Sequence, residues 1–344
     1  MKRVRVWVVG FGTVGRWLLG AVHRDSASIA ARYGFVPTVV GVANARDGFV
    51  HDSAGIDLGE LLALSSNGGS LSELAGATQW PTSIVGMAAT DADVLVEVSS
   101  SPADGEPGFA HMREALRRGI AVVTSNKWPV ARHGVELARL ARDHGTTFRA
   151  ESTVMSGTPV LAALVDGLAG ATPVALRGVV SATANFVATR MALDETYEDA
   201  LAAARAEGLA ERDPTADVDG HDEMAKAMVL AGLVFGTQLE PAAVARRGVS
   251  EVGRDDVRRA ARAGTVIKPV VSIEAVEAGA ALTARVEPMA LDREDPLARV
   301  DGAMNAVVCR ADPLGEITIA GPGAGPDLAG QGVLSDLIWA ARRS

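Results

Sequence analysis

One segment of the sequence concentrates polar residues that could perform acid–base chemistry. It runs from Glu211 to Lys226 and contains six carboxylates, one histidine and one lysine. Asp222 and Lys226 are four residues apart, so they share one face if the segment is helical. Lys226 is also the only charged residue between Met224 and Phe235. Burial lowers the pKa of an ammonium and nearby carboxylates raise it, which suits proton exchange with a substrate oxygen.

The spacing alone leaves other interpretations of this segment open. Carboxylates stabilise any helix N-terminus because they complement the helix dipole. A lysine in an apolar helix can also extend its ammonium to the surface. His221, beside Asp222, is an alternative proton-transfer group.

Lysine is scarce in this chain. Of the 33 basic residues, only Lys2, Lys127, Lys226 and Lys268 are lysines. A position that keeps a lysine where arginine is the usual cation suggests a need for a compact ammonium with an adjustable pKa. Chance retention is the expectation for Lys2 and Lys268.

A glycine pattern near the N-terminus predicts a dinucleotide-binding site. Gly10-Phe-Gly12-Thr-Val-Gly15 follows a predicted strand and opens a predicted helix, as the fingerprint requires. Gly10 allows the tight turn, Gly12 lets the backbone approach a pyrophosphate, and Gly15 permits close helix–strand packing. The helix N-terminus would bind the negative charge.

The end of the second predicted strand bears on the choice of dinucleotide. NAD usually requires an acidic residue there to bind the ribose hydroxyls, but the strand ends Asn44-Ala45-Arg46-Asp47. Arg46 could pair with a 2′-phosphate, which favours NADP. NAD stays an alternative cofactor, because the acid Asp47 follows directly. Arg46 could instead stack on the adenine or be an ordinary solvated residue.

Strand-like and helix-like segments alternate through the first 150 residues. Continuous apolar strands in such an alternation indicate a parallel sheet covered on both faces. The predicted strands are Val4–Val9, Thr38–Ala43, Asp93–Val98 and Ile120–Thr124, and the predicted helices are Arg16–His23, Phe109–Arg118 and Val135–Asp143.

After residue 150 the alternation is lost and an α+β pattern follows. The predicted fold is α/β: a Rossmann-type domain over 1–150, completed by about 305–344, and a catalytic and dimerisation domain over 151–304. The predicted helices here are Val160–Leu168, Tyr197–Ala206, Asp222–Phe235 and Arg258–Arg262, and the strands are Leu176–Ala182, Val266–Ala275 and Ala281–Pro288.

Composition restricts the partners and the compartment. A net charge of -9 argues against nucleic acid or an anionic membrane as the main partner. No apolar run reaches membrane-spanning length. The single Cys309 cannot form an internal disulfide, so a reducing cytoplasm is expected. The six histidines have no paired zinc-ligand spacing.

Four motifs in order make the sequence resemble the homoserine dehydrogenase family over nearly its whole length. They are the fingerprint Gly10–Gly15, the segment Val123-Thr-Ser-Asn-Lys127, the segment Leu209–Lys226, and Asn305-Ala-Val followed by Gly321-Pro-Gly-Ala-Gly325. The segment Leu209–Lys226 is the longest and most specific match.

The resemblance implies NAD(P)H-dependent interconversion of aspartate semialdehyde and homoserine by a homodimer, on the route to threonine and methionine. Lys226 would donate the proton to the developing alkoxide, and Lys127 would be a second cation close to the reacting oxygen. Glu211 would bind the substrate ammonium, while Asp217 and Asp222 would orient the substrate or Lys226.

The same resemblance implies further binding residues. Thr183 would contact the substrate, and sodium or potassium would bind mostly to backbone oxygens in the turn of Glu151, Val154 and Ser156. An ordinary inter-domain turn is the alternative for that segment. The cofactor would also contact Thr13, Val14, Ser99 and Gly325, besides Gly10, Gly12, Gly15 and Arg46.

Departures from the family pattern leave the substrate open. Ser181-Ala-Thr-Ala-Asn-Phe186 stands where the family commonly has Asn-Gly-Thr-Thr-Asn-Tyr, and Ser99-Ser-Ser-Pro102 and Pro326–Ala329 also differ. A related dehydrogenase of another small amino-acid aldehyde is one alternative. A protein that senses the dinucleotide without turnover is another, although it would have no reason to keep Lys127 and Lys226.

Overall fold

The chain forms two compact units in a computed structural model that describes residues 2–45, 48–74, 80, 82–276 and 281–343. The first unit comprises Met1–Thr153 and Gly325–Ser344, and the second comprises Val154–Ala324. Within the described part of the chain, no helix has the length and apolarity needed to cross a membrane.

Strands and helices alternate along the first unit, as the sequence pattern predicts. In chain order its elements are β1 (Lys2–Val9), α1 (Thr13–Tyr33), β2 (Phe35–Asn44), β3 (Gly48–His51), α2 (Leu58–Ser66), α3 (Ser83–Ala88), β4 (Val94–Glu97), α4 (Gly108–Arg117), β5 (Ala121–Thr124), α5 (Lys127–Asp143) and β6 (Phe148–Arg149).

The sheet of this unit has the order β3-β2-β1-β4-β5-β6. All of its neighbouring strands are parallel except β2 and β3. The central strands are apolar and buried because helices cover both faces of the sheet. The chain order reverses between β1 and β4, and this reversal is the point at which open α/β sheets bind ligands beyond the strand ends.

The second unit is built on a mostly antiparallel sheet. Its elements are β7 (Thr172–Val179), α6 (Ala182–Met191), α7 (Tyr197–Ala206), α8 (Thr215–Val218), α9 (His221–Val234), β8 (Val244–Arg246), α10 (Arg254–Arg262), β9 (Thr265–Val276), β10 (Ala281–Asp292), β11 (Met304–Asp312) and β12 (Gly315–Pro322), with a π-helical turn at Ala162–Gly167.

The strand order of this sheet is β12-β11-β7-β9-β10-β8. Residues 305–324 therefore belong to the second unit, whereas the sequence pattern assigned them to the first. The physical reason is that β11 pairs along its length with β7 and β12, so its hydrogen bonds lie within this sheet. The chain then returns to the first unit as α11 (Pro326–Ala341).

The predicted strand Leu176–Ala182 is wrong at its C-terminal end. The strand stops at Val179, and Ala182 begins α6, which the sequence analysis missed. The side chain of Ser181 caps this helix by accepting a hydrogen bond from the Ala184 amide. Nearly every residue of α6 is buried, so it lacks the one-sided apolar pattern by which a surface helix is identified.

Lys268 is fully buried on β9, which contradicts the expectation of chance retention. Its ammonium donates hydrogen bonds to the Val300 carbonyl at 2.6 Å and to Asp301 Oδ1 at 2.7 Å. Asn185 Oδ1 and Thr189 Oγ1 lie at 3.4 and 3.5 Å. The lysine is retained because its buried ammonium is satisfied by acceptors from two segments of the second unit, α6 and residues 300–301.

Lys268→Met should therefore lower the free energy of unfolding by about 2–4 kcal/mol. The substitution keeps most of the volume but removes the ammonium donor from the buried Asn185 Oδ1 and from the Val300 carbonyl, which keeps its bond from Asn185 Nδ2. Arg285→Met, at an exposed position on neighbouring β10, is the control and should change stability by less than about 0.5 kcal/mol. Urea unfolding followed by circular dichroism measures both, and equal effects would show that Lys268 contributes no specific stabilisation.

Candidate functional site

The glycine fingerprint of the first unit has the close packing that its spacing predicts. Gly10 has φ +108°, and a Cβ there would lie 2.5 Å from the Ser99 amide nitrogen. A Cβ on Gly15 would lie 2.0 Å from the Gly10 carbonyl oxygen. Side chains are therefore excluded at both positions by backbone atoms, and α1 starts directly against the ends of β1 and β4.

Gly12 has a different role from its two neighbours in the fingerprint. A Cβ there would meet no atom within 4 Å, and Gly12 is the N-cap of α1. Among the described residues, no side chain caps this helix, and its first turn, which contains Thr13 and Val14, has no acid. The open backbone and the amides at the helix start fit a pyrophosphate.

The remaining cofactor candidates of this unit occupy separate loops. Ser99 follows β4 and donates a hydrogen bond through its hydroxyl to Glu97 Oε1. Gly325 is the N-cap of α11 and has φ +134°, which favours glycine. Arg46, on which the preference for NADP depends, and Asp47 lie outside the described residues.

Lys127 is the first residue of α5 and is half-buried. A cation at this end of a helix opposes the helix dipole, and such an arrangement typically costs about 0.3–1 kcal/mol. The stability of α5 therefore does not explain why this position holds one of the four lysines. Asn126, the N-cap of α5, is buried immediately before it.

Lys226 and Asp222 form the ion pair that their spacing predicts, on α9 of the second unit. Lys226 Nζ lies 2.7 Å from Asp222 Oδ2 and donates a hydrogen bond of 2.7 Å to the Val180 carbonyl oxygen. Only 8% of Lys226 is exposed. The ammonium is thus fixed by two acceptors from different segments.

Burial lowers the pKa of Lys226 below the usual lysine value near 10.5, while the charges of Glu223 and Asp217 oppose this shift. Glu223 is 1% exposed and precedes Lys226 by three residues. Glu223 was not predicted as a site residue, although the i, i+3 spacing on an apolar helix was a usable signal. With its pKa lowered, this group can release a proton as the ammonium and accept one as the neutral amine.

The other substrate candidates of the second unit differ in burial. Thr183 is buried at the start of α6 and donates a hydrogen bond of 2.7 Å to the Leu209 carbonyl, two residues before Glu211. Glu211 itself is exposed, and Asp217 on α8 is half-buried. His221, the alternative proton-transfer group, begins α9 and is half-exposed, in contrast to Lys226.

The residues proposed for an alkali cation are divided between the two units. Glu151 lies in the first unit, where its amide donates a hydrogen bond of 2.8 Å to Asp336 Oδ2. Val154 and Ser156 lie in the second unit. Ser156 has φ +52°, a left-handed conformation that is uncommon for serine, and its hydroxyl donates to the Gly323 carbonyl at 3.1 Å.

Two family models match this chain in succession. Residues 10–151 match the homoserine dehydrogenase NAD-binding domain, and residues 159–338 match homoserine dehydrogenase.

Curated relatives of similar length match along nearly the whole chain. An NAD(+)-dependent homoserine dehydrogenase of Pseudomonas canavaninivorans is 36% identical over 339 residues, which cover 98% of this chain and 96% of the relative. A homoserine dehydrogenase of Methanocaldococcus jannaschii is 31% identical over 333 residues, covering 96% of each chain.

Solved structures with the same fold include a hyperthermophilic archaeal homoserine dehydrogenase in complex with NADPH. It has a TM-score of 0.82 and 32% identity, over 98% of this chain and 97% of that one. A homoserine dehydrogenase from Thiobacillus denitrificans has a TM-score of 0.82 and 29% identity, over 99% of this chain and 74% of the other.

Proposed function

Because the chain belongs to the homoserine dehydrogenase family of NAD(P)-dependent oxidoreductases, we propose that it interconverts L-aspartate 4-semialdehyde and L-homoserine. The observation that carries this proposal is the buried Lys226 ammonium, held 2.7 Å from Asp222 and 2.7 Å from the Val180 carbonyl. Homoserine-dependent formation of reduced nicotinamide tests it.

Lys226 is the proton-transfer group in this proposal. A bound nicotinamide dinucleotide supplies hydride to the aldehyde carbon in reduction and accepts it from the alcohol carbon in oxidation. As the carbon–oxygen double bond opens, its electron pair moves to oxygen, and Lys226 Nζ donates the proton there. In the reverse direction the neutral amine removes the hydroxyl proton. Asp222 holds the lysine in place through both steps.

The remaining polar residues are proposed to bind and orient the substrate. Glu211 pairs with the substrate ammonium, and Asp217 orients the substrate and favours the charged form of Lys226. Thr183 contacts the substrate and fixes the Leu209 carbonyl near Glu211. Lys127 supplies the second positive charge to the reaction, which accounts for its retention at an unfavourable helix position.

The lowered pKa of Lys226 predicts opposite pH dependence in the two directions. Oxidation needs the neutral amine, so kcat for homoserine should rise as pH increases through the lowered pKa. Reduction needs the ammonium, so kcat for the semialdehyde should fall over the same range. Both inflections should lie below the usual lysine value near 10.5.

Steady-state rates at saturating substrate and cofactor measure this pH dependence. Under these conditions kcat reports ionisations of the enzyme–substrate complex and not of the free substrate amine. Rates that change in the same direction for oxidation and reduction would contradict Lys226 as a single acid–base group.

We further propose NADP(H) as the preferred cofactor, because Arg46 rather than an acid follows the second strand. Arg46→Ala should then weaken NADP(H) binding by about 10- to 150-fold, the value of one charge-assisted pair, and leave NAD(H) nearly unaffected. Fluorescence titration of each reduced cofactor measures this, with Arg3→Ala, at an exposed position near the start of β1, as the control. Equal weakening of both cofactors would instead assign Arg46 to adenine stacking or structure.

Two further features are proposed from the resemblance, and a third is proposed from the single cysteine. A sodium or potassium ion would be held mainly by backbone oxygens of Glu151, Val154 and Ser156. The protein would act as a homodimer, which its mass in solution checks. A reducing cytoplasm suits Cys309, which is buried and whose thiol pKa is raised by that burial, so it is protected from oxidation.

A further inference from the structure

A carboxylate that the proposed reaction does not use is buried in the first unit. Glu97 ends β4 and is 0% exposed. Its Oε1 accepts hydrogen bonds from the hydroxyl and the amide of Ser99, the latter at 3.3 Å. Its Oε2 accepts one from Asn126 Nδ2 at 2.8 Å. One carboxylate therefore bonds to the loop after β4 and to the loop after β5.

Asn126 is fixed around this carboxylate by further bonds. Its side-chain Nδ2 also donates to Ser101 Oγ at 2.8 Å, and its backbone nitrogen donates to Thr124 Oγ1 at 2.9 Å. Thr124 Oγ1 in turn donates to the Glu97 carbonyl at 2.7 Å. Since Asn126 is the N-cap of α5, this network fixes the point at which Lys127 begins the helix.

The other oxygen of the carboxylate, Oε1, faces a histidine and bonds to the loop that packs on the glycine fingerprint. The Ser99 backbone, to which Glu97 bonds, packs on Gly10, where a Cβ would lie 2.5 Å from the Ser99 nitrogen. His111 is 5% exposed, and its Nδ1 lies 3.8 Å from Glu97 Oε1. The Nε2 atom of His111 lies 2.6 Å from Ser83 Oγ, so the ring behind the carboxylate is itself fixed.

Fold stability alone does not account for a carboxylate at this position. Burying an ionised carboxyl group costs free energy. A protein with an apolar side chain of similar size at such a position is often equally or more stable. A carboxylate, however, accepts from several donors at once and donates to none, so it can hold two loops at fixed positions.

We propose that Glu97 is a positioning residue for the reaction: it fixes Lys127 through Asn126 while it holds Ser99 against the fingerprint. This inference rests on the role proposed above for Lys127. It concerns only residues of the first unit, and the fully buried Glu97 acts through its hydrogen bonds to Ser99 and Asn126.

Glu97→Gln is the direct test because it keeps the shape and replaces one acceptor oxygen by an amide donor. If that amide faces Asn126 Nδ2, the bond to the loop after β5 is lost. If it faces Ser99, the Ser99 backbone amide loses its acceptor, although the hydroxyl can then accept from the new amide. We expect kcat for homoserine oxidation to fall about 10- to 100-fold. Asn126→Ala should reproduce the loss. Asp93→Asn, which breaks the 2.9 Å ion pair with Arg5 before β4, should leave kcat unchanged even where it costs stability.

A double-mutant cycle separates positioning from a general structural role. If Glu97 acts through Lys127, then Glu97→Gln should lower kcat less than about threefold further in a Lys127→Ala background. Effects that multiply fully would overturn the proposal. So would a Glu97→Gln protein with a lowered unfolding midpoint and wild-type kcat.

A readout independent of turnover keeps this inference separate from the proposed function. A wild-type protein that does not oxidise homoserine would refute the proposed function. A crystal structure of Glu97→Gln would still decide the positioning role: a displaced Asn126 side chain supports it, and an unmoved Asn126 overturns it.

Discussion

Lys226→Arg should lower kcat for homoserine oxidation by about 10²–10⁴-fold, the usual contribution of general acid–base catalysis. Arginine keeps the positive charge but is larger and effectively never releases its proton. Asp222 and the Val180 carbonyl, each 2.7 Å from Nζ, also leave no freedom for a wider guanidinium. Cofactor affinity should be nearly unchanged, because the predicted cofactor-binding residues belong to the first unit.

Steady-state kinetics and fluorescence titration of the reduced cofactor measure both quantities. Lys2→Arg, at an exposed position on β1, is the matched control and should behave like the wild type. A Lys226→Arg enzyme that retained more than half of the wild-type kcat would remove Lys226 from the proton-transfer step.

Glu211→Gln should act on binding rather than on proton transfer. The side chain is exposed in the absence of substrate, and a substrate ammonium would be paired with it on binding. Where that contact persists through the reaction, KM for homoserine should rise about 10- to 150-fold with kcat largely preserved. The mutant should also lose discrimination between homoserine and a hydroxy acid that lacks the amine.

Glu207→Gln is the matched control for this experiment, since Glu207 is exposed at the C-terminal end of α7, four residues away. It should leave KM unchanged. A fall in kcat at constant KM for Glu211→Gln would place Glu211 in the proton-transfer machinery and contradict the proposed division of roles.

The parts of the site that follow local rules could be predicted from the sequence. Gly15 is excluded from carrying a side chain by the Gly10 carbonyl, a contact within one strand–turn–helix unit, which a linear motif encodes. The Asp222–Lys226 pair follows from helical geometry, in which residues four apart are neighbours. Helix α7 was predicted with its observed bounds, Tyr197–Ala206, because its pattern and its caps agree.

Features that depend on distant contacts could not be predicted. Val180 contributes a backbone carbonyl, which no side-chain pattern reveals, from 46 residues before Lys226. The carboxylate of Glu97 meets Asn126 only because β4 and β5 are adjacent in the sheet. Lys268 had no local signal of burial, since its acceptors come from α6 and from the turn after residue 299. Tertiary contacts decided each of these positions.

The segment Ser181–Phe186, which differs from the common family sequence, forms the cap and the first half of α6. Ala182 and Thr183 form the buried first turn of α6, and Val180, the partner of Lys226, precedes them by two residues. Ala182 is 5% exposed. A methyl group where the family commonly has glycine therefore lies two residues from the Val180 carbonyl that accepts a hydrogen bond from Lys226.

The central claim is that this protein transfers hydride between homoserine and a nicotinamide dinucleotide with Lys226 as the proton-transfer group. The most direct measurement follows the nicotinamide absorbance of the purified protein with homoserine and NADP or NAD, beside the Lys226→Arg variant. The account predicts homoserine-dependent reduction of the cofactor by the wild type, at least about 100-fold slower in the variant. A wild-type protein that binds the cofactor without oxidising homoserine, or a variant that oxidises it at the wild-type rate, would contradict the account.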